Sequence, residues 1–426
     1  MTDSTAPVIV VGAGLAGLAC ARELARAGRH VEVLEASDGV GGRVRTDEVE
    51  GFLLDRGFQV LLTAYPEAKA QLDYPALRLR PFYPGAVVRF GGRFHRISDP
   101  FRRPADALRS LVNPIGSPAD KLRVLALRRR AGAGSLDQLF DRPETSTMQA
   151  LTRMDFSNAL IERFFQPFLG GIFLGRELST TSRMLEFVIR MFGEGDTAVP
   201  SQGMGAIPAQ MAAVLPAGAV RTGVRVAAVD RAGVVLDDGS RVGASAVVVA
   251  TEGDVAAALT GGNAPAVFRS VTNLYFAAPR PPYEGPYLIL DGESRGPANN
   301  VAVMSEVAPE YAPAGRSLVS ATVLGNPTAD DSRLVREVLM QLRDWFGDQT
   351  SEWTLLRSYR IRWAQPDQTP PTMPPSARTA RLAPGLFLAG DHVEHASIQG
   401  ALAAGRRAAM ELLAESATAT AAVPHQ

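Results

Sequence analysis

Three glycines near the N-terminus have the spacing that a nucleotide-binding loop requires. Gly12, Gly14 and Gly17 follow the apolar run VIVV, which predicts a strand, and they open a segment whose apolar residues recur at helical spacing. Gly12 permits a tight turn, Gly14 lets a pyrophosphate approach the backbone, and Gly17 allows the helix to pack closely on the strand. The free N–H groups of the first helical turn, which includes Leu15 and Ala16, then face the phosphates. The spacing therefore predicts a dinucleotide site and leaves FAD and NAD as alternatives.

Two further groups after this loop have side chains suited to a dinucleotide. Glu35 and Ala36 follow the second apolar run, and the Glu35 carboxylate is placed to accept hydrogen bonds from ribose hydroxyls. The same negative charge repels a 2′-phosphate, which disfavours NADP. A second glycine pair ends at Gly42, directly before Arg43. We expect this pair to form another backbone loop over the cofactor, with Arg43 neutralising phosphate charge.

The elements that must position these residues form one βαβ unit. The apolar pattern predicts a strand over 8–11, a helix over 15–27 and a strand over 31–34. Prolines interrupt the pattern near residue 75, and the following segment predicts a hairpin that turns at Gly91-Gly92.

The rest of the chain alternates between helical and extended patterns. Residues 147–192 predict helices rich in phenylalanine, which usually indicates core but also suits the lining of an apolar pocket. Residues 219–251 predict strands with a turn at 237–239, and residues 271–363 predict extended segments with one helix near 332–346. The segment that starts at 386 predicts a strand, a loop and a final helix.

Composition excludes several classes of partner and site. The 426 residues carry 44 Lys and Arg against 44 Asp and Glu, so the large positive charge of a nucleic-acid-binding protein is missing and no nucleic-acid partner is expected. Cys20 is the sole cysteine, which rules out an internal disulfide and a cysteine-based metal site, and no metal is predicted. The N-terminus has no basic segment typical of a secretory signal, and no apolar run reaches about 20 residues. These features predict a cytoplasmic protein.

Residues 99–130 form a basic stretch that is also rich in leucine. Such a stretch could lie on an anionic membrane surface, which would place the protein at the inner face of the membrane. The solvated helical face of a cap domain is the more usual origin of such a stretch. Both interpretations stay open on the sequence alone.

Three segments resemble the FAD-dependent amine oxidase superfamily, which includes protoporphyrinogen oxidases, phytoene desaturases and hydroxysqualene dehydroxylases. The first is VIVVGAGLAGLACARELARAGRHVEVLEASDGVGGRVRT, the second is TGVRVAAV followed by SAVVVAT, and the third is LAGDHVEHASIQGALAAGRRAA. Together these segments cover about a third of the chain.

The resemblance implies an α/β fold in which a Rossmann-like FAD-binding domain carries an inserted α+β substrate domain. In such proteins the FAD-binding domain is assembled from separate stretches of chain. The expected boundaries are 1–75, 201–268 and 376–416 for the FAD-binding parts, 76–200 and 269–375 for the substrate domain, and 417–426 for a flexible tail.

The resemblance also assigns residues to the cofactor by position. It implies that the backbone of Val226 contacts adenine, that Gly390 and Asp391 contact the ribityl or pyrophosphate part, and that Phe58 lies near the isoalloxazine ring. The helix that begins near Ile398 points its N-terminus at the flavin C2 carbonyl, where reduced flavin is negative. FAD is expected to bind non-covalently, because the only cysteine lies in the first helix.

The chemistry implied is removal of two electrons, as hydride to flavin N5, from an apolar substrate in a desaturase-like or dehydrogenase-like reaction. Gln59, which could orient the substrate or donate to it, and His392 are the candidate catalytic residues. An amine or amino-acid oxidase that produces peroxide is the alternative, although the chain lacks a lysine after Lys121 where amine oxidases place one. A third alternative is a non-catalytic lipid-binding protein similar to the GDP-dissociation inhibitors. The sequence leaves the electron acceptor and the oligomeric state open.

Overall fold

The computed structural model describes residues 6–99, 102–103, 114–230, 232–262, 267–374 and 377–421. The strands, in chain order, are β1 (Val8–Val11), β2 (Val31–Leu34), β3 (Thr46–Val49), β4 (Phe52–Asp55), β5 (Leu61–Leu62), β6 (Leu79–Pro81), β7 (Gly85–Phe90), β8 (Arg93–Ser98), β9 (Thr197–Pro200), β10 (Val220–Arg221), β11 (Val226–Asp230), β12 (Gly233–Leu236), β13 (Arg241–Gly243), β14 (Ala246–Val249), β15 (Phe268–Ala278), β16 (Leu288–Asp291), β17 (Ala298–Val303), β18 (Ser317–Leu324), β19 (Thr354–Pro366), β20 (Arg381–Ala383) and β21 (Leu386–Leu388).

The helices of the described residues are, in the same order, α1 (Leu15–Arg26), α2 (Pro66–Gln71), α3 (Tyr74–Leu77), α4 (Pro118–Ala131), α5 (Leu136–Phe140), α6 (Thr147–Arg153), α7 (Asn158–Leu160), α8 (Gln166–Phe173), α9 (Ser182–Glu194), α10 (Ala206–Ala213), α11 (Gly253–Thr260), α12 (Met304–Val307), α13 (Asp331–Phe346) and α14 (Ile398–Ala421). A π-helical turn joins α7 to α8, and short 3₁₀ turns occur at Pro309–Tyr311, Gly347–Glu352 and Asp391–Val393.

A six-stranded sheet forms the centre of the nucleotide-binding domain. Its order is β10-β2-β1-β14-β21-β20, and every neighbouring pair is parallel except β21 with β20. The central strands are runs of buried valine, as expected when both faces of a parallel sheet are covered. The predicted βαβ unit is confirmed, and its helix ends one residue earlier than predicted, at Arg26. Three distant stretches of chain thus share one sheet, which confirms the predicted Rossmann-like architecture.

Small residues let two helices approach on one face of this sheet. Helix α1 packs along α14, and a Cβ atom added to Gly405 would lie 2.1 Å from the carbonyl oxygen of Ala16. This close contact fixes the N-terminal turn of α1 relative to the C-terminal helix.

A seven-stranded sheet forms the second domain, with the order β19-β15-β18-β17-β16-β7-β8. All neighbouring strands are antiparallel except β16 and β7. The predicted hairpin is confirmed: β7 and β8 turn at Gly91 and Gly92, whose φ angles of 60° and 73° favour glycine. Helix α13, which the sequence predicted near 332–346, covers one face and packs Trp345 and Phe346 against the sheet.

A layer of helices lies on the other face, as the pattern over 147–192 predicted. Helices α4, α5 and α6 are each preceded by a serine whose hydroxyl accepts the backbone N–H of the residue three positions later. The acidic or amide side chain of that later residue accepts the backbone N–H of the serine in return.

Within the basic stretch at 99–130, the structure describes α4, whereas residues 100–101 and 104–113 lie outside the described residues. No helix in the described part of the chain is both long and apolar enough to span a bilayer.

The predicted start of the flexible tail, residue 417, lies before the end of the last helix. Helix α14 continues to Ala421, because the segment is rich in alanine, which favours helix, and the Thr418 hydroxyl donates to the Ala414 carbonyl at 3.0 Å. Residues 422–426 lie outside the described residues. The other domain boundaries remain predictions.

Candidate functional site

A cavity of about 1080 Å³ is lined by residues of both domains. Most of the residues predicted for the cofactor or for catalysis line it, namely Gly12, Gly14, Leu15, Ala16, Glu35, Ala36, Gly42, Arg43, Phe58, Gln59, Val226, Gly390, Asp391 and Ile398. The fold thus brings together predicted residues from three distant parts of the sequence.

The N-terminus of α1 forms an open cradle at one end of the cavity. Gly14 is the N-cap residue, no side chain caps the helix, and the first turn contains no acidic residue. A Cβ atom added to Gly14 would meet no other atom within 4 Å, so the space beside it is free. Gly41 in the second glycine loop pairs with Gly14 in a parallel bridge. Uncapped N–H groups and open space beside them suit a phosphate group.

Glu35 is fixed at the carboxyl end of β2. Its two carboxylate oxygens accept the backbone N–H groups of Ala13 and Ser37 at 2.7 and 2.8 Å. Each oxygen retains a second lone pair, and Glu35 lines the cavity. The carboxylate is therefore held in place and can still accept from ribose hydroxyls.

Arg43 and Asp391 form an ion pair across the cavity wall. The Arg43 guanidinium donates to Asp391 Oδ1 at 2.6 Å and to the Ala364 carbonyl at 2.9 Å. Burial opposes the charge of Arg43, but the neighbouring Asp391 carboxylate outweighs burial and raises the pKa of Arg43. The pair ties the second glycine loop to the C-terminal segment that precedes α14.

Glu252 is a cavity residue that the sequence reasoning missed. It lies three residues after the end of β14, at the carboxyl edge of the parallel sheet, beside the glycine loop. Burial raises the pKa of Glu252, while the charge of Arg43 lowers it by less. An acidic residue at the end of a strand next to the nucleotide loop was the signal available in the sequence.

The N-terminus of α14 also faces the cavity. Ala396, Ser397, Ile398 and Ala401 line the cavity, and the Ser397 hydroxyl accepts the Gly400 N–H at 2.9 Å. The positive end of this helix can stabilise negative charge on a bound group. A flavin C2 carbonyl at this position remains a prediction.

Gln59 lines the cavity, but its amide nitrogen is not available to a substrate. Nε2 donates to the carbonyls of Arg43 and Arg56 at 2.8 and 3.0 Å, which uses both of its N–H groups. The expectation that Gln59 could donate to the substrate is therefore wrong, since only its oxygen is left as an acceptor. The neighbouring Phe58 packs edge to face on Phe82, with ring centroids 6.1 Å apart.

Two predicted residues, Gly17 and His392, lie outside the cavity lining. A Cβ atom on Gly17 would lie 2.0 Å from the Gly12 carbonyl oxygen, so Gly17 serves packing of the helix on the loop. The His392 ring lies against Gly390, and its buried Nε2 has no hydrogen-bond partner among the described residues. Burial lowers the pKa of His392, which favours the neutral ring.

The two other titratable groups of the same loop, Glu394 and His395, are held by contacts with other side chains of the protein. Glu394 forms an ion pair with Arg378, and the Arg407 guanidinium lies 2.7 Å from its other oxygen without hydrogen-bond geometry. The His395 ring lies between Phe140 and Phe187, at centroid distances of 5.1 and 4.9 Å. Burial and two nearby arginines lower the pKa of His395 to about 3.

Apolar side chains of the helical layer line a large part of the same cavity, and we call this part the apolar arm. Its residues come from the segment before α4, from α4 itself and from the helices between 158 and 194. They are Ile115, Leu122, Val124, Leu125, Leu127, Leu160, Phe164, Phe165, Phe168, Ile172, Val188, Ile189 and Phe192. Lys121 is the only lysine among the described residues of the cavity lining.

Two curated proteins match parts of the chain. Protoporphyrinogen oxidase 2 of Arabidopsis thaliana is 27% identical over 164 residues, which are 38% of this chain and 32% of that protein. Coproporphyrinogen III oxidase of Propionibacterium freudenreichii subsp. freudenreichii is 30% identical over 182 residues, 40% of this chain and 34% of that protein. The matched segments therefore span about a third of these relatives.

Solved structures share the whole fold. A putative protoporphyrinogen oxidase from Exiguobacterium sp. 255-15 has a TM-score of 0.73 at 17% identity and covers 97% of this chain and 100% of its own. Cyclohexylamine oxidase from Brevibacterium oxydans IH-35A has a TM-score of 0.72 at 17% identity and covers 97% of this chain and 99% of its own.

The family is shown by a match along nearly the whole chain. The sequence model of the flavin containing amine oxidoreductases matches residues 15–413, which include the second glycine pair, the apolar arm and most of α14. The open cradle at Gly14, the fixed Glu35 carboxylate and the N-terminus of α14 fit the phosphates, ribose and ring of a flavin dinucleotide. The chain therefore belongs to the flavin-containing amine oxidoreductase family.

Proposed function

We propose that this protein is an FAD-dependent oxidoreductase that removes two electrons from an apolar substrate. The observation that carries the proposal is the cavity itself, in which the phosphate cradle and the apolar arm are parts of one space. Bound FAD supplies a two-electron acceptor at N5. By their names, the relatives above act on porphyrinogens and amines. The apolar arm supports an apolar substrate rather than an amine here.

The chain's own residues would hold the cofactor without a covalent bond. Gly14 and the uncapped turn of α1 receive the pyrophosphate, Glu35 accepts from ribose, and the N-terminus of α14 stabilises negative charge on the reduced ring. Cys20 is buried within α1, and burial raises the pKa of its thiol well above the ordinary value. This thiol is therefore unsuited to a covalent flavin bond.

The lining favours an apolar substrate over a cationic amine. A buried ammonium group needs an uncompensated carboxylate beside it. Asp391, the carboxylate of the cavity lining that is nearest the start of α14 in sequence, is already neutralised by Arg43 at 2.6 Å. Burial raises the pKa of Glu252, the other lining carboxylate beside Arg43, and so opposes its charged form. The arm presents phenylalanine and aliphatic side chains, including Phe164, Phe168 and Phe192, which exclude water from the reacting C–H bond.

Anaerobic reduction of the bound flavin tests this proposal. The purified holoprotein, mixed with reduced tetrapyrroles or isoprenoids in the absence of oxygen, should lose its visible flavin absorbance in a single turnover. Amines and amino acids should leave the spectrum unchanged. Rapid bleaching by amines, with peroxide formed on admission of air, would establish the amine oxidase alternative instead.

A flavin-free lipid-binding protein is the alternative of another class. It predicts protein that carries no flavin and does not take up added FAD. The open space beside Gly14 and the fixed Glu35 carboxylate argue for uptake. Equilibrium dialysis of apoprotein against FAD separates the two.

We also propose that α4 contacts an anionic membrane surface, from which an apolar substrate enters the cavity. Leu122 and Leu125 are 68% and 37% exposed, lie on one face of α4 together with exposed Arg129, and also line the cavity. Lys121 and Arg123 flank them. Basic groups around exposed leucines are complementary to a bilayer that carries anionic headgroups.

Sedimentation with lipid vesicles tests this contact. The protein should bind phosphatidylglycerol vesicles more tightly than phosphatidylcholine vesicles, and salt should weaken the binding. The double variant Leu122→Ser/Leu125→Ser should bind about tenfold more weakly or worse, since both apolar side chains leave the interface. Met340→Ser removes a similarly exposed apolar side chain from α13 and should change nothing. Equal binding by both variants would exclude α4 as the contact.

A further inference from the structure

We infer that Gln59 and Gln365 determine substrate specificity by accepting hydrogen bonds from an uncharged N–H donor on the substrate. The inference rests on the proposed function, because it concerns the molecule that the same cavity takes. Its basis is that two glutamines of the lining are held in the same way, with their nitrogens bound to the protein backbone.

Gln365 repeats the arrangement seen at Gln59. Its Nε2 donates to the carbonyls of Ile172 and Ala396, both at 3.3 Å. Because carbonyl oxygens only accept, these partners fix which end of each amide is nitrogen. No described residue donates to the side-chain oxygen of either glutamine, and both residues line the cavity. Each therefore offers an acceptor to whatever occupies the cavity.

Arg43 connects the two glutamines. Its carbonyl accepts from Gln59, and its guanidinium donates to the carbonyl of Ala364, the residue directly before Gln365. Gln365 in turn binds Ala396, just before the N-terminus of α14. The two acceptors thus lie on the two chain segments joined by Arg43, at the flavin end of the cavity.

The surroundings select an uncharged donor. Amide oxygens carry no net charge, and the nearby Asp391 is compensated by Arg43 at 2.6 Å, so a cation gains little here. Phe58 and Ile172 add apolar surface to the same lining. A substrate without an N–H donor would leave these two amide oxygens buried without hydrogen-bond partners. The site therefore discriminates against such a substrate. An apolar molecule with a pyrrole-type N–H group meets both requirements.

Binding of a matched pair of probes to the holoprotein tests the inference. The probes are phenylindole, which has one uncharged N–H group, and its N-methyl derivative, which has none. Isothermal calorimetry should show that phenylindole binds more tightly to the wild type. Gln59→Met and Gln365→Met should each weaken phenylindole binding about two- to tenfold, the worth of one hydrogen bond, and leave N-methylphenylindole unaffected.

A third glutamine supplies the matched control. Gln349 also donates through Nε2 to a backbone carbonyl, that of Phe346, but it does not line the cavity, so Gln349→Met should bind both probes like the wild type. Equal losses for both probes in the Gln59 and Gln365 variants would show a purely structural role and overturn the inference.

The outcomes for the inference and for the proposed function can be told apart. If flavin reduction by apolar donors fails while the probe pair still discriminates, the proposed reaction is wrong and the acceptor pair stands. If apolar donors reduce the flavin while phenylindole and its N-methyl derivative bind the wild type equally tightly, the reaction stands and the acceptor pair is overturned.

Discussion

At the scale of single residues, two glycines of one motif have opposite roles. A Cβ atom on Gly14 meets no atom within 4 Å and points into the cradle, whereas a Cβ on Gly17 lies 2.0 Å from the Gly12 carbonyl oxygen. We expect Gly14→Ala to keep the free energy of unfolding of the apoprotein within about 0.5 kcal/mol. Its Kd for FAD should rise about tenfold or more, because the added methyl group displaces a phosphate contact.

Gly17→Ala is the comparison for this substitution. It should lower the free energy of unfolding by about 1–3 kcal/mol, since the helix must move away from the loop. Urea denaturation of both apoproteins and fluorescence titration with FAD provide the measurements. Destabilisation by Gly14→Ala equal to that by Gly17→Ala would contradict the assignment of separate roles.

Asp55 gives a prediction of pH dependence. It is buried and accepts hydrogen bonds from the Thr46 hydroxyl, the Met204 N–H and the Tyr311 hydroxyl at 2.6, 2.8 and 2.8 Å. Burial nevertheless raises the pKa of Asp55 from 3.8 to about 6. The unfolded chain therefore releases this proton first as the pH rises. This group alone should lower the free energy of unfolding by about 3 kcal/mol between pH about 4 and about 6.

Asp55→Asn should remove that decrease, which urea denaturation at several pH values can measure. Asp47 is the control of opposite sign: burial raises its pKa, but hydrogen bonds from Arg56 and Tyr359 outweigh burial and lower it. Asp47→Asn should therefore lower stability near neutral pH, and its difference from the wild type should disappear at more acidic pH, where the wild-type interaction is lost as the pH falls. Identical pH profiles of the wild type and Asp55→Asn would refute the prediction.

At the scale of elements, the loop before α14 depends on a buried ion pair. The side chains of Glu394 and Arg378 are 7% and 5% exposed, and Arg407 also faces Glu394. Glu394→Ala leaves these arginines without their anion and should cost about 3–5 kcal/mol of stability. The same variant should bind FAD more weakly, because the loop leads into the N-terminus of α14, which faces the cavity.

The more exposed pair of Arg381 on β20 and Glu415 on α14 is the matched control. Glu415→Ala should cost about 1 kcal/mol or less, as is usual for solvent-exposed pairs. Thermal unfolding and FAD titration of the two variants test the contrast. A small effect of Glu394→Ala would mean that other contacts hold the loop.

At the scale of the whole molecule, FAD binding should stabilise both domains together, because the cavity takes residues from each. All three tryptophans, Trp345, Trp353 and Trp363, lie in the second domain, so their fluorescence reports on that domain. FAD at about 100 times its Kd should raise the free energy of unfolding of the apoprotein by about 2.7 kcal/mol. Tryptophan fluorescence and far-UV circular dichroism should shift equally.

Gly14→Ala is the control for this linkage, since the same FAD concentration should stabilise it less. A shift seen by circular dichroism but not by tryptophan fluorescence would show that the two domains unfold independently.

The sequence by itself determined the local features of this protein. The valine runs, the helical spacing and the turn at Gly91-Gly92 depend on neighbouring residues and predicted the βαβ unit, the hairpin and most helices and strands. The glycine spacing likewise predicted the cradle, and most of the residues assigned by motif resemblance line the cavity. These inferences succeeded because the spacing of apolar residues and the residue types of turns are properties of short segments.

Only the tertiary structure decided what the candidate side chains can do. The partner of Arg43 is Asp391, 348 positions away, and the partners that occupy the Gln365 nitrogen come from two other segments. Glu252 was missed, and His392 was assigned to a site that it does not line. A side chain's protonation, free lone pairs and access to a cavity depend on which distant groups surround it, and this information exists only once the chain has folded.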